Sequence, residues 1–107
     1  MSYQVQLTPQ ARIELCNSAL WWAEHRSSEE AVRWLTGFEA ALSLLSENPE
    51  RWPMAQENGL VPVEIRAMLF GVRRRKTHRA VFQIRQDRVV VHAVRHLAQD
   101  ALTADDF

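Results

Sequence analysis

His78 and Arg79 stand side by side in one β-rich stretch, Arg95 and His96 stand together at the end of another, and Arg66 lies in the stretch before both. A guanidinium can hold a phosphodiester and stabilise charge developing at phosphorus, while an imidazole can move a proton near neutral pH. Converging on one sheet face, such a set could cleave RNA without a metal, because the 2′-hydroxyl of RNA supplies the nucleophile. The plainer reading of any single arginine is an ion pair with Glu64, Asp87 or Asp100, or a solvated surface position. The run Arg73-Arg74-Arg75-Lys76 carries the same choice. It is either a cationic hairpin tip that grips nucleic acid or an acidic partner, or a solvated turn.

Other chemistries have little support. The histidines are His25, His78, His92 and His96, with no HExxH or CxxC pattern. On a strand, His92 and His96 would be ~13 Å apart, too far for one ion. No metal is expected. Cys16 is the single cysteine, so no internal disulfide can form. It falls on the stripe Ile13, Cys16, Leu20, Ala23 and reads as a small buried hydrophobe. Gly37, Gly59 and Gly71 stand alone, without a phosphate-cradling loop, and no small-molecule cofactor is expected.

The chain has 107 residues, 47% hydrophobic and 24% charged, which suits one globular domain over 1–107 with a real core. No apolar run approaches the ~18 residues of a membrane span, and Met1–Val5 lacks a secretion-signal layout, so a cytoplasmic chain without a membrane partner is expected. The formal net charge is zero, but it is unevenly spread. Residues 1–60 carry four arginines against eight glutamates, 4 − 8 = −4. Residues 61–100 carry eight arginines and Lys76 against three acids, 9 − 3 = +6. Such a dipolar chain presents one cationic surface to phosphate or to an acidic partner.

The elements that must position these groups follow from periodicity. Tyr3–Leu7 alternates apolar and polar residues and reads as a short strand. Thr8-Pro9 is an N-cap with proline at the first helical position, opening a helix to about His25. Ser27 with Glu30 has capping-box spacing and restarts a helix whose apolar face runs Ala31, Trp34, Leu35, Phe38, Ala41, Leu42, Leu45 until Asn48-Pro49 stops it. From Val61 the pattern turns to strands: 63–69, 80–84 and 89–94, with Gln86-Asp87 as a tight turn and a longer hairpin around 71–76. The order β-α-α-β-β-β predicts an α+β fold, a helical hairpin packed on one face of a mostly antiparallel four-stranded sheet. The opposite face is expected to be open or half-covered, with the arginines upon it.

Taken in order, the segments Val63-Glu64-Ile65-Arg66-Ala67-Met68-Leu69-Phe70-Gly71, His78-Arg79-Ala80-Val81-Phe82-Gln83-Ile84 and Arg88-Val89-Val90-Val91-His92-Ala93-Val94-Arg95-His96 resemble the RelE/ParE superfamily of bacterial toxins. Chain length and the helical hairpin ending at Asn48-Pro49 add to the resemblance, which covers nearly the whole chain. It implies the toxin half of a type II toxin–antitoxin module, which arrests growth until a cognate antitoxin wraps and blocks it. The superfamily divides by target. RelE-like members cut mRNA on the ribosome without metal, whereas ParE-like members poison DNA gyrase.

In the ribonucleases an arginine at the position of Arg79 serves the scissile phosphate, and a basic residue of the preceding strand matches Arg66. They also use a tyrosine, histidine or arginine just after the last strand. Here the chain runs Arg95-His96-Leu97-Ala98-Gln99-Asp100, and its only tyrosine is Tyr3, at the other end. His96 or His78 would have to carry the proton instead. That departure favours a ParE-like inhibitor of gyrase, with Arg73, Arg74, Arg75, Lys76 and Arg95 as a target-docking surface. A ribosome-dependent mRNA endoribonuclease and a non-toxic, antitoxin-binding relative are the alternatives. The antitoxin is expected over the helical hairpin at Trp21 or Trp22, adjacent residues that cannot share one stripe.

Overall fold

A computed structural model describes residues 2–72, 74–99 and 101–107. Strand β1 (Gln4–Leu7) runs through Thr8 into helix α1 (Pro9–His25). Thr8 Oγ1 accepts the Ala11 N–H at 3.1 Å, satisfying a donor that the first helical turn leaves free. At the far end the Arg26 N–H returns to the Trp22 carbonyl at 2.9 Å, and Ser27 Oγ accepts the Glu30 N–H at 3.0 Å. One polar joint therefore ends α1 and starts α2 (Ser28–Ser43), whose Glu29 and Glu30 face the positive end of the helix dipole. After α2 a 3₁₀ turn, Leu44–Ser46, leads to Asn48, which takes a left-handed φ of 47° ahead of Pro49. Asparagine tolerates that conformation better than any β-branched residue.

Strands β2 (Arg66–Phe70), β3 (His78–Arg85) and β4 (Arg88–His96) form an antiparallel meander, and β1 adds to β4 in parallel. The order across the sheet is β1-β4-β3-β2, mostly antiparallel, with both helices on one face, which is the α+β architecture expected. Pairing puts Phe70 opposite His78 and His78 opposite His96, while Leu69, Arg79 and Arg95 form the next row. Under the helices lies a core built on Trp34, Phe38, Leu42, Met68, Phe82 and Val91. Each large side chain buried there removes apolar surface worth about 1.5–3 kcal/mol.

Three expectations need correction. First, α1 turns Ala11, Leu15, Ala19 and Trp22 to the core, and leaves the Ile13–Cys16–Leu20 stripe outside. Ile13 is 60% and Leu20 58% exposed, and Cys16 is exposed as well. The sequence offers two neighbouring stripes, and the one containing Leu15 and Trp22 hides more apolar area than the one containing Cys16 and Ala23. Second, β2 starts at Arg66 instead of Val63. Residues 55–65 close on themselves, with Ala55 N–H donating to the Ile65 carbonyl at 2.9 Å and Ile65 N–H to Asn58 Oδ1 at 3.0 Å.

Third, the far face of the sheet is covered. The 54–65 loop and the C-terminal segment 101–107 lie over it, and Ala55, Ile65 and Leu102 pack with Ala67, Val81 and Ala93 into a second buried cluster. Phe107 joins this cover, its ring centroid 4.8 Å from that of His92. A row of small apolar side chains on a strand face needs such a cover to leave water.

Candidate functional site

Residues singled out at opposite ends of the sequence meet in one groove. Between α1 and the ends of β3 and β4 lies a cavity of about 660 Å³. Its helical wall is Glu14, Asn17, Ser18, Trp21 and Trp22; its sheet wall includes Thr77, His78, Val94 and His96. Helix periodicity explains the first wall, since 14, 18 and 21 share one side of α1, next to the core-facing Trp22. The antiparallel register explains the second, because His78 and His96 are direct partners and their rings lie 5.1 Å apart, edge to face.

The two tryptophans divide their labour. Trp22 is half-buried and packs on the core, whereas Trp21 is 50% exposed, stacked on His25 at 4.7 Å and set edge-on to Trp22 at 5.4 Å. The two histidines also differ. His78 is buried, with Thr77 Oγ1 2.8 Å from its Nδ1 and the Trp34 ring 4.9 Å away. Burial first, and then the neighbouring His96, hold its pKa down to about 4, so it is uncharged at neutral pH. His96 is exposed, and its Nδ1 accepts the Ala98 N–H at 3.0 Å, which leaves Nε2 as the ring nitrogen open to a partner. The groove can thus offer an aromatic wall and two imidazole rings to a partner side chain.

Glu14 closes one end of the groove. Its Oε1 accepts the Val94 N–H at 2.9 Å, and Arg95 lies 3.4 Å from its Oε2. Arg95 is held on its other side by Asp106 at 3.4 Å, and Gln10 Nε2 reaches the same carboxylate at 3.3 Å. The expected target-docking Arg95 is therefore tied between α1 and the C-terminal segment.

The basic loop tip behaves differently. Thr77 N–H donates to the Phe70 carbonyl at 2.9 Å, closing the 71–76 loop, and a side chain on Gly71 would collide with the Arg75 carbonyl. Only glycine allows that close approach. Arg74, Arg75 and Lys76 stand exposed on this tip; Arg73 lies outside the described residues.

Arg79 is not on an open surface. It is 6% exposed, on the far face, and makes a bidentate pair with Glu57: Nη1 to Oε1 at 2.8 Å and Nη2 to Oε2. Glu57, 1% exposed, also accepts the Leu102 N–H at 2.8 Å. The Arg79 hydrogen bonds chiefly hold the Glu57 carboxyl down to about 2, against the cost of its burial. Arg66 is engaged too, donating from Nη1 to the carbonyls of Glu50 at 3.0 Å and Trp52 at 2.6 Å. It sits at the opposite end of β2 from Phe70, the partner of His78. Strand parity sends His78 and Arg79 to opposite faces, so Arg79, Arg66 and the histidine pair do not converge.

The residue that sequence reasoning missed is Glu57. It lies in a loop with no periodicity to fix its side, and Glu64, Asp87 and Asp100 look like nearer partners for the arginines. The usable signal was indirect: the Ala67, Val81, Ala93 row calls for a cover, and Val61, Leu102 and Phe107 are apolar residues that no expected helix or strand face accounts for. Among the described residues, no three His, Cys, Asp or Glu side chains gather as a metal site.

The helical hairpin packed on one face of a four-stranded sheet has a counterpart among solved structures. One chain of the chromosomal ParDE TA system from P. aeruginosa superposes with a TM-score of 0.70 at 13% sequence identity, covering 89% of this chain and 96% of that one. At that identity the likeness speaks for the fold. No curated protein matches the sequence significantly. The family model for the ParE toxin of the type II toxin–antitoxin system parDE matches residues 5–101. The chain belongs to this ParE toxin family, and the partner of such a toxin is its cognate antitoxin.

Proposed function

We propose that this toxin arrests growth by acting on DNA gyrase in the cytoplasm, and that it does so without cutting RNA. The observation that carries the proposal is the buried Arg79–Glu57 pair, on the sheet face away from His78 and His96. A phosphate ligand must reach phosphate, and a general acid or base must lie within hydrogen-bond reach of the same reacting centre. Freeing Arg79 would leave Glu57 as an uncompensated buried charge, at a cost of about 3–5 kcal/mol. Arg66 is likewise spent on loop carbonyls. A protein target asks for none of this convergence. It asks for a shaped surface, which the groove at Trp21 and Trp22 and the exposed Arg74, Arg75 and Lys76 supply.

The antitoxin docks over the same groove, with Trp21 as its rim anchor and Trp22 at its base. Covering the groove and the adjoining basic tip would keep the toxin off its target. The test is pulse incorporation of labelled thymidine and labelled methionine, in the minutes after inducing the chain in a bacterium without its antitoxin. Thymidine incorporation is expected to fall first. An early collapse of methionine incorporation with thymidine intact would place the target in translation. Growth that continues while soluble protein accumulates would mark the chain as a non-toxic relative.

A further inference from the structure

Beyond Trp22 the groove continues into a second, smaller slot of about 200 Å³, where the joint between α1 and α2 faces the 71–77 loop. Its apolar lining is Trp22, Trp34 and Val72, and its cations are Arg26, Arg33 and Arg75. Two features of this slot are unused by anything described above. Trp34 is 1% exposed, and its indole N–H meets no acceptor among the described residues. A buried donor left unmatched costs about 1–3 kcal/mol, so an acceptor supplied from outside would recover that cost on binding. The second feature is charge. Arg26 is held by Glu30 at 3.2 Å, but Arg33 and Arg75 are in no ion pair among the described residues.

An apolar slot with an unmatched donor and two unopposed guanidiniums fits one kind of occupant. We propose that it captures an acidic peptide segment. One apolar side chain enters between Trp22, Trp34 and Val72, a carboxylate accepts a hydrogen bond from the Trp34 indole N–H, and flanking carboxylates face Arg33 and Arg75. An acidic peptide suits the slot better than a run of phosphates, because it brings an apolar side chain for the Trp22, Trp34 and Val72 lining together with its carboxylates. The cognate antitoxin is the source of the segment, and in that one respect the proposal rests on the reading above. It gives the antitoxin a charged anchor next to the aromatic one at Trp21.

The test uses the full chain with ¹⁵N-labelled tryptophan, whose four indole N–H resonances are resolved by NMR. The probe is the peptide acetyl-Asp-Glu-Leu-Glu-Asp-amide, with acetyl-Asn-Gln-Leu-Gln-Asn-amide as its neutral counterpart and hexauridylate as the phosphate control. The acidic peptide should shift the Trp34 resonance saturably, and the neutral one should need about tenfold more. The Arg33→Gln/Arg75→Gln variant, altered only at exposed positions, should fold normally and bind the acidic peptide about tenfold more weakly. A Trp34 resonance unmoved at millimolar acidic peptide overturns the proposal, as does an equal response to the neutral peptide. Hexauridylate binding at lower concentration than the peptide would make the slot a nucleic-acid site instead. Growth arrest is read separately. A toxic chain whose Trp34 ignores the peptide loses the slot alone, and a chain that binds the peptide without arresting growth loses only the toxic action.

Discussion

On the helical side of the sheet, Trp34, Phe38 and Phe82 pack a core that opens at one end into a groove walled by Trp21, Trp22, His78 and His96. On the other side, Ala67, Val81 and Ala93 lie under a loop and a chain end, and the one ion pair sealed there is Glu57 with Arg79, among the described residues. The first face spends large aromatic side chains and still leaves a cavity. The second uses small side chains and a buried charge pair, closed over by the 54–65 loop and the C-terminal segment. Position in sequence is a poor guide to this division, since His78 and Arg79 are neighbours and serve opposite faces. Polar chemistry next to a groove is available to a partner; polar chemistry under a cover is architecture.

Breaking the covered face should have the largest effect. Glu57→Ala strands a buried guanidinium and should cost about 3–5 kcal/mol in denaturant unfolding, far more than a surface glutamate such as Glu39. A loss below 1 kcal/mol would mean that water already reaches Arg79, and the covered face would not be as described.

Acid should remove the contributions of the buried groups in two windows. The buried, uncharged His78 has its pKa lowered from 6.5 to about 4, so below pH 6.5 the unfolded chain takes up a proton that the folded chain refuses. Stability contributed by that neutrality is present above pH 6.5 and is lost as the pH falls toward 4, by roughly 3 kcal/mol. The Glu57 carboxyl, lowered from 4.5 to about 2, contributes stability that is present above pH 4.5 and is lost below it, down to about pH 2. Chemical denaturation across pH should therefore show two windows. His78→Phe should reduce the slope of the upper one, to which His92 also contributes because burial and Arg85 lower its pKa, and should leave the lower intact. A variant that keeps the wild-type slope between pH 6.5 and 4 would contradict the assignment.

The open face should show its effect in binding more than in stability. Trp21→Ala removes a half-exposed ring, so its unfolding free energy should change by about 1 kcal/mol or less. If Trp21 anchors the antitoxin, the same change should weaken their complex by about 2 kcal/mol in calorimetry. Unaltered affinity would move the antitoxin off this groove.

Much of the helical face was legible in the sequence. Thr8-Pro9 and Ser27 mark helix starts by local chemistry, the Ala31–Leu45 face has an unambiguous period, and Gln86-Asp87 marks the β3–β4 turn; the bulge at Val81/Phe82, which shifts the register by one and so sets His78 opposite His96, has no such mark in the sequence. Where two solutions fit one period, the sequence did not choose. In α1 the stripes through Cys16 and through Trp22 are about equally regular, and only packing against the sheet selects the second. The covered face was barely legible. Its roof is loop and chain end, segments without periodicity, and its key contact joins Glu57 to Arg79 across 22 positions. A strand alternation at 63–65 looked like sheet because Val63 and Ile65 are apolar for another reason, as the roof of the second cluster.

The central claim is that Arg79 holds the fold and does not touch a substrate. The most direct test is the double variant Glu57→Leu/Arg79→Met, which replaces the buried ion pair with apolar side chains, an exchange that folded proteins often accept at little cost. Induced without antitoxin and checked for folding and antitoxin binding, it should arrest growth and suppress thymidine incorporation as the parent chain does. A variant that folds and binds antitoxin normally yet no longer arrests growth would contradict the account and return Arg79 to the active chemistry of the toxin.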